Sequence, residues 1–420
     1  KSSTKDLSLS SNERLYIKNK SLFTPLKYRN LKPEGLKIYT FKAGFKKKFD
    51  DLLLIIFDKP INAATVYSKT STPSAPIIWD KKFNKGKVRA LIVNSGNANA
   101  HTGEKGIRII NDYVKHLTKL INCKKSEVLV SSTGVIGELF DPNLIIQNIS
   151  NIFNQKTKGL FDAAKAIMTT DTYPKLGIKR IKIQNISFTI YGVAKGSGMI
   201  HPNMGTMLVY IFIDLALNKK ILQKLLNNNL DNTFNSISTD GDTSTSDTLV
   251  LFSTESNKRK IDFNIINNYN KLNKSILELM SELSLKVVKD GEGISKLIKV
   301  NIQKSLSKRQ AKNIGFAIVN SPLVKTAISG EDANWGRIIA AIGKTQEKII
   351  QNKIKIYFGK NLVCENGAIY KKININKLDR YMKNKTIEIS VTLNMGIINH
   401  TVFGNDLTHE YIRINSDYRS

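Results

Sequence analysis

An α/β fold is the class that this sequence predicts, and three neighbouring stretches carry the prediction. Residues 89–93 form a short apolar run that leads directly into a loop of small polar residues at 94–103. Apolar residues then recur at helical spacing over 110–121, and a second short strand at 128–130 ends in another polar loop at 131–134. A strand, a glycine-bearing loop and a helix in succession are typical of α/β proteins, whose functional loops follow strand ends.

The remaining elements follow from the same two periodicities, about two residues for strands and about 3.6 for helices. Alternation over 178–194 predicts a hairpin, and the polar, irregular residues 1–30 are expected to form a loosely held arm. We also expect a domain boundary near residue 290. Further strands are predicted at 51–56, 207–213, 354–358 and 387–393, and helices at 219–228, 262–288 and 335–342.

The chain is strongly basic, with 65 Lys and Arg residues against 34 Asp and Glu and a formal net charge of +31. Such a charge could serve nucleic-acid binding. However, 54 of the basic residues are lysines and only 11 are arginines, and they are scattered along the chain. Because arginine is favoured for bidentate contacts to phosphates and bases, this pattern is a poor indication of nucleic-acid recognition. We therefore expect no nucleic-acid partner.

Composition excludes several other classes of protein. Hydrophobic residues at 41% and charged residues at 24% are values of a globular chain of 420 residues. No apolar run approaches the roughly 18 residues of a membrane helix, and no signal peptide is expected. Cys123 and Cys364 are too few for a disulfide framework or a four-cysteine zinc site, and no metal-binding motif is present. We expect no membrane association, no metal and a cytoplasmic location.

The most informative local pattern is Gly205-Thr206 at the start of the apolar strand 207–213. One interpretation is self-cleavage before Thr206, which would release a threonine with a free α-amine. An α-amine has a pKa of about 8, so it could act as the general base for the threonine hydroxyl without a histidine. The other interpretation is a threonine that simply begins a strand, which β-propensity alone explains. This pattern by itself leaves both open.

Eight polar blocks, six of which contain glycine, interrupt the apolar elements. They are NSGNANAHTG at 94–103, SSTGVIGE at 131–138, AIMTTDTYPK at 166–175, KGSGMIHPNMGTML at 195–208, STDGDTSTSDT at 238–248, DGEG at 290–293, GEDANWGRI at 330–338 and INSDYRS at 414–420. In these blocks and their order, the chain resembles the ornithine acetyltransferase family of arginine biosynthesis, also called the bifunctional glutamate N-acetyltransferase family. The resemblance extends from about residue 33 to residue 420, and the shared order makes it specific.

Members of this family cleave themselves before a threonine, and the new N-terminal threonine carries the acetyl group. The resemblance implies that this nucleophile is Thr206 and that cleavage before it gives an alpha chain of residues 1–205 and a beta chain of residues 206–420. It also implies that Thr133 and Gly134 form the oxyanion hole. A hydroxyl and a backbone N–H can both point at the negative charge that develops in a tetrahedral intermediate.

The resemblance further implies a reaction and a substrate site. Acetyl would pass from N2-acetylornithine to glutamate by a ping-pong route through acetyl-threonine, giving ornithine and N-acetylglutamate. Lys195 can neutralise an α-carboxylate, and Glu292 can bind a side-chain ammonium. No cofactor is required, although some members of the family also take acetyl from acetyl-CoA. The implied substrate-binding residues are Thr169, Thr170, Lys195, Thr206, Glu292, Asn415 and Ser420.

The fold implied by the family is a layered α/β/β/α sandwich of the N-terminal-nucleophile-like kind. Residues 206–290 would complete this sandwich, and residues 291–420 would form a smaller C-terminal α/β domain. The alpha and beta chains are expected to assemble as a heterotetramer with two copies of each. The sequence departs from the family at Gly205, where alanine is usual, and at Ser420, where threonine is common. The greater backbone freedom of glycine could slow cleavage.

Two alternatives from other classes remain. A self-processing aminopeptidase or amidase with an N-terminal threonine would share the nucleophile but transfer the acyl group to water. A basic nucleic-acid-binding protein without catalysis would bind DNA or RNA in a salt-dependent way. Glu292 and the complete C-terminal block favour the transferase.

Overall fold

A computed structural model describes most of the chain. The predicted cleavage positions Gly205 and Thr206, the terminal Ser420 and most of the predicted N-terminal arm lie outside the described residues. From the arm, two short strands are described, and they pair with each other in antiparallel fashion. The described residues are 6–8, 21–29, 31–201 and 207–417.

None of the described helices is both long enough and apolar enough to cross a membrane.

Strands form one isolated pair and two sheets in the part of the chain that the structure describes. The strands are Asp6–Ser8 (β1), Lys27–Arg29 (β2), Leu36–Phe41 (β3), Leu52–Tyr67 (β4), Lys87–Asn97 (β5), Val128–Val135 (β6), Lys175–Ile183 (β7), Ile186–Lys195 (β8), Leu208–Ile213 (β9), Thr248–Ser253 (β10), Leu297–Ser305 (β11), Lys355–Phe358 (β12), Asn361–Glu365 (β13), Ala368–Ile369 (β14), Thr386–Thr392 (β15) and Ile398–Asn405 (β16).

Helices connect these strands. The α-helices are Ala75–Phe83 (α1), Gly103–Ile121 (α2), Asn143–Ile149 (α3), Leu160–Ala166 (α4), Lys219–Leu230 (α5), Ile266–Val288 (α6), Lys308–Val319 (α7), Pro322–Ser329 (α8), Trp335–Gly343 (α9), Ile375–Met382 (α10) and His409–Ser416 (α11). Short 3-10 turns lie at Lys125–Glu127, Ile152–Asn154, Phe234–Ser236 and Gln351–Lys353.

The larger sheet has the strand order β6-β5-β4-β10-β9-β8-β7, and β3 also pairs with β4. The long strand β4 belongs to both halves of this sheet, because its first part pairs with β3 and β5 and its last part with β10. Its register against β5 shifts between Ile56 and Ile61, and an irregularity of this kind bends a strand. The sheet therefore folds over along β4 into two layers.

A buried core fills the space between the two layers. Leu53 and Ile55 of β4 lie in the same cluster as Tyr210 and Phe212 of β9. The Phe57 and Phe212 rings, one from each layer, have centroids 6.4 Å apart. Because successive side chains of a strand point to opposite faces, the neighbouring residues must be covered from outside.

Helices cover both outer faces. Trp79 of α1 and Ile110 of α2 pack on the layer of β3 to β6, together with α3. Leu225 of α5 and Leu279 of α6 pack on the layer of β7 to β10. The layers thus run helix, sheet, sheet, helix, which confirms the expected α/β/β/α sandwich.

The smaller sheet has the order β14-β13-β12-β15-β11-β16, with β11 parallel to β15 and antiparallel to β16. Helices α7 to α10 cover it through a separate core that includes Ile302, Ile318 and Val391. A parallel bridge between Ile237 and Phe403 joins this sheet to the segment that precedes β10.

Two predicted loops are wrong in extent. The strand predicted at 128–130 continues to Val135, and the neighbouring strand β5 continues to Asn97. The two strands pair in parallel through Gly96 and Gly134. The polar residues at 94–97 and 132–134, which were predicted as loop, therefore belong to paired strands. The predicted strand at 207–213 and the hairpin at 178–194 are confirmed by β9 and by β7 with β8.

Candidate active site

One cavity of about 340 Å³ opens where β6 and β8 end, at one end of the sandwich. Its volume lies in the range of about 300–1,000 Å³ that is usual for small-molecule sites. Sequence positions far apart in the chain meet there. Of the predicted site residues, those that line it are Thr133, Gly134, Thr169, Thr170, Lys195, Glu292 and Asn415.

Thr133 and Gly134 lie near the end of strand β6, which pairs with β5. Gly134 has a φ of +130°, and a Cβ atom on it would lie 2.3 Å from the carbonyl carbon of Gly96. Only glycine fits such a backbone and such an approach. The Thr133 hydroxyl accepts a hydrogen bond of 2.9 Å from the Lys195 ammonium. Its own proton is therefore free to point into the cavity.

Lys195 ends β8 and is 2% exposed. Burial lowers the pKa of this lysine, although the neighbouring Asp171 opposes the shift. Its ammonium donates to the Thr133 hydroxyl rather than to a carboxylate. The positive charge is thus available to an anion that enters the cavity.

A fully buried ion cluster lies beneath Lys195 and was not predicted. The Lys175 ammonium is 2.6 Å from both Asp171 Oδ1 and Asp290 Oδ2. Burial alone would raise the pKa of Asp171, but Lys175 and Lys195 outweigh it and hold that pKa well below its usual range. For Asp290, burial prevails over Lys175 and raises the pKa to about 6.

This ion cluster fixes the segments that carry the predicted substrate contacts. Asp171 accepts the backbone N–H of Thr169 at 3.0 Å and that of Gly196 at 2.7 Å. Asp290 accepts the backbone N–H of Thr172 at 2.9 Å, and the Ser197 hydroxyl donates to the Asp290 carbonyl at 2.5 Å. Thr169, Lys195 and Glu292 are each within two residues of a member of this network.

The cavity lining also includes acidic residues. Asn415 donates its side-chain amide to Glu292 Oε2 at 2.7 Å, and burial raises the pKa of Glu292. Asp240 also lines the cavity and accepts the backbone N–H groups of Met199 and Ile200 at 2.6 and 2.9 Å. The cavity lining therefore includes a cation beside the Thr133 hydroxyl and the carboxyl groups of Glu292 and Asp240.

The C-terminal helix α11 is docked against the loop that carries Glu292. A Cβ atom on Gly293, whose φ is +66°, would lie 2.5 Å from the Tyr411 nitrogen. Thr408 caps the helix, and its hydroxyl donates to the Gly293 carbonyl at 2.5 Å. Tyr411 and Asn415 consequently reach the cavity. Asp240 and Tyr411 are lining residues that the sequence did not assign, although Asp240 lies in a recognised block.

Among the described residues, no group of three or more His, Cys, Asp or Glu side chains is placed to hold a metal ion. The expectation that the reaction needs neither metal nor cofactor stays a prediction.

The sandwich and the polar cavity at its end define an enzyme with a small-molecule site. The model of the ArgJ family matches residues 37–420. This chain belongs to the ArgJ family.

Curated relatives agree over nearly the whole chain. The arginine biosynthesis bifunctional protein ArgJ of Bartonella henselae is 41% identical over 394 residues, which is 92% of this chain and 95% of the relative. The protein of the same name from Brucella melitensis is 40% identical over 402 residues, with the same two coverages. A solved structure of ArgJ from Bacillus halodurans is 33% identical with a TM-score of 0.48, and the match covers 51% of this chain and 100% of that chain.

Proposed function

We propose that this protein cleaves itself between Gly205 and Thr206 and then moves acetyl from N2-acetylornithine to glutamate in arginine biosynthesis. The observation that carries the proposal is the convergence of the described site residues on one cavity of a chain that belongs to the ArgJ family. The relatives named above are bifunctional proteins of arginine biosynthesis.

The charges in the cavity support this donor substrate. N2-acetylornithine carries an α-carboxylate and a side-chain ammonium. Lys195 would bind the carboxylate and Glu292 the ammonium, with Asn415 fixing the Glu292 carboxylate at 2.7 Å. The acetyl amide between these two groups would then face Thr133 and Gly134.

The same cavity must accept glutamate, whose side chain is an anion. The pKa of Glu292 is raised by burial, so this carboxylate takes up a proton more readily than an exposed one. A protonated Glu292 would donate a hydrogen bond to the incoming carboxylate instead of repelling it. One cavity could thus bind the two substrates in turn.

The proposed reaction has two acyl transfers. The Thr206 hydroxyl attacks the acetyl carbonyl while its α-amine takes the hydroxyl proton and passes it to the departing ornithine nitrogen. The glutamate amine then attacks the acetyl ester, and the Thr206 oxygen regains a proton. The Thr133 hydroxyl and the Gly134 backbone would stabilise each oxyanion, and losing one such donor typically costs about 10²–10³-fold in rate. Lys195 assists by donating to Thr133.

The test is the intact mass of the wild-type protein beside Thr206→Ala. Fragments 1–205 and 206–420 in the wild type, with an uncleaved variant, are expected. Incubation with acetylornithine should then add one acetyl group to the second fragment, and glutamate should remove it as N-acetylglutamate. Release of free acetate without glutamate would instead indicate the amidase alternative, and an uncleaved wild type would refute the proposal.

Three finer points of the proposal have separate tests. Light scattering on the cleaved protein would show whether two alpha and two beta chains assemble. Assays with acetyl-CoA in place of acetylornithine would show whether the enzyme also uses that donor. Assays after dialysis against a chelator should leave the activity unchanged, since no step uses a metal.

A further inference from the structure

The carboxylate of Asp240 joins two segments of the cavity wall. Its Oδ2 and Oδ1 atoms accept the backbone N–H groups of Met199 and Ile200 at 2.6 and 2.9 Å, in the loop that follows β8. Oδ2 also accepts a hydrogen bond of 3.3 Å from the hydroxyl of Tyr411 on helix α11. Hydrogen bonds to an ionised acceptor are stronger than those between neutral groups. One carboxylate therefore holds both the loop and the C-terminal helix.

Both of these segments contact Glu292. A Cβ atom on Gly198, next to Met199, would lie 2.5 Å from the Glu292 carboxyl carbon, so the backbone of the loop packs directly against this side chain. From α11, the Asn415 amide donates to Glu292 Oε2 at 2.7 Å and to the Tyr411 carbonyl at 3.0 Å. Movement of either segment would consequently shift the Glu292 carboxyl.

The two carboxyl groups differ in how many donors they already have. Asp240 also accepts the backbone N–H of Asp242 at 3.4 Å, which with the three donors above fills the roughly four acceptor positions of a carboxylate. Among the described residues, Glu292 accepts hydrogen bonds from the side chains of Thr170 and Asn415, which leaves acceptor positions for a substrate. Glu292 is thus suited to contact the substrate, and Asp240 to support the segments around it.

We propose that Asp240 is a positioning residue for the substrate site, which fixes the Glu292 carboxyl where it meets the side-chain ammonium of the donor substrate. This inference rests on the proposed function, in which Glu292 binds that ammonium. Asp240 acts through the loop at Met199 and through Tyr411, and it does not itself touch the substrate. Loss of its contacts should therefore weaken recognition of the ammonium and leave the acetyl-transfer step largely intact.

The test measures the preference for a substrate that carries an ammonium. N2-acetylnorvaline has the carbon chain of N2-acetylornithine without the ammonium, so the ratio of the two kcat/KM values reports on ammonium recognition. In Asp240→Asn, one oxygen becomes an NH2 group that can only donate, so it loses the hydrogen bonds that this oxygen accepted. The ratio should fall about tenfold, mainly through the KM for acetylornithine, while kcat changes less than about threefold.

Tyr411→Phe is a milder variant that removes one hydrogen bond and keeps the charge of Asp240. The ratio should fall about threefold, and amide hydrogen exchange of α11 should become faster. Tyr269→Phe is the matched control. The Tyr269 hydroxyl accepts a hydrogen bond from Asn228 at 3.0 Å, but this tyrosine packs in the core beneath α6. Neither the ratio nor the exchange of α11 should change in the control.

A double-mutant cycle with Glu292→Gln distinguishes positioning from direct binding. If Asp240 acts only through Glu292, adding Asp240→Asn to Glu292→Gln should change the ratio by less than about twofold. A further tenfold fall would mean that Asp240 binds the ammonium itself, and the positioning role would be wrong.

The outcomes also separate this inference from the proposed function. All ratios refer to protein whose cleavage has been verified by intact mass. If the wild type transfers acetyl while Asp240→Asn and Tyr411→Phe both keep its ratio, the positioning role is wrong and the function stands. If Asp240→Asn does not fold or cleave, the ratio of Tyr411→Phe decides. If the wild type transfers no acetyl from acetylornithine, the proposed function fails and this inference fails with it.

Discussion

Replacement of Lys175 by methionine tests the buried ion cluster. The lysine ammonium lies 2.6 Å from two carboxylates, those of Asp171 and Asp290, and all three side chains are inaccessible to solvent. Methionine keeps the approximate volume but removes the charge. Two buried carboxylates then remain without their shared cation.

The expected loss of stability is large and depends on pH. Removing one partner of a buried ion pair costs about 3–5 kcal/mol. The pKa of Asp290 is about 6 with the lysine present, and it must rise further without it. A carboxyl whose pKa is raised in the folded state loses stability as pH rises toward that pKa. We expect a loss of about 4 kcal/mol at pH 8 and about half of that at pH 5.5.

The assay is urea unfolding in the uncleaved Thr206→Ala background, followed by tryptophan fluorescence. Trp79 reports on the sandwich and Trp335 on the smaller domain. Lys299→Met is the control, since its ion pair with Glu388 at 3.1 Å is partly exposed and such pairs contribute at most about 1 kcal/mol. A loss below about 1 kcal/mol for Lys175→Met, or the same loss at both pH values, would refute the reasoning.

Three further predictions concern Glu292 in the cavity, Gly134 at the end of β6, and the buried Lys325, whose ammonium donates to the Thr239 and Asn405 carbonyls. Glutamate binding should take up protons, which calorimetry in buffers of different ionisation enthalpy would measure. Glu292→Gln should abolish this proton uptake and weaken acetylornithine binding at least about tenfold. Equal proton uptake by the variant and the wild type would contradict the prediction. Gly134→Ala should abolish transfer, because its Cβ would lie 2.3 Å from the Gly96 backbone, whereas Gly343→Ala, with nothing within 4 Å, should be active. Burial lowers the pKa of Lys325 from 10.5 to about 8, so unfolding takes up a proton between these two pH values. The free energy of unfolding should therefore rise with pH across this interval, by at most about 3 kcal/mol. Urea titrations of Lys325→Met should show no such rise, and the same pH dependence in the variant would refute the role of Lys325.

Segments with a strong apolar pattern were predictable from the sequence. Strand β9 is a continuous apolar run, and helix α6 repeats apolar residues over six turns. Other short elements were not: β10 directly follows a polar block, and α8 and α11 have only eight residues each. Periodicity over so few residues does not distinguish a strand or a helix from a loop.

The residues of the site also divide into those that the sequence could identify and those that only the fold reveals. Thr133, Lys195 and Glu292 could be named because whole blocks resemble a family. Asp171 and Asp290 lie in the same kind of block, yet a charged residue in a polar stretch is usually solvated. Only the fold shows that they share the ammonium of Lys175, because residues 175 and 290 are 115 positions apart.

The order of strands in the larger sheet has a consequence for a cleaved molecule. Strands β9 and β10 follow residue 206, and they lie between β4 and β8, which precede it. The two products would therefore be woven together, each supplying strands to a sheet that neither could complete alone. Separating them would require breaking the ladders on both sides of the inserted pair, so fragment dissociation and global unfolding would be one and the same event. Dilution of the enzyme should then leave the heterodimeric unit intact until denaturing conditions are reached.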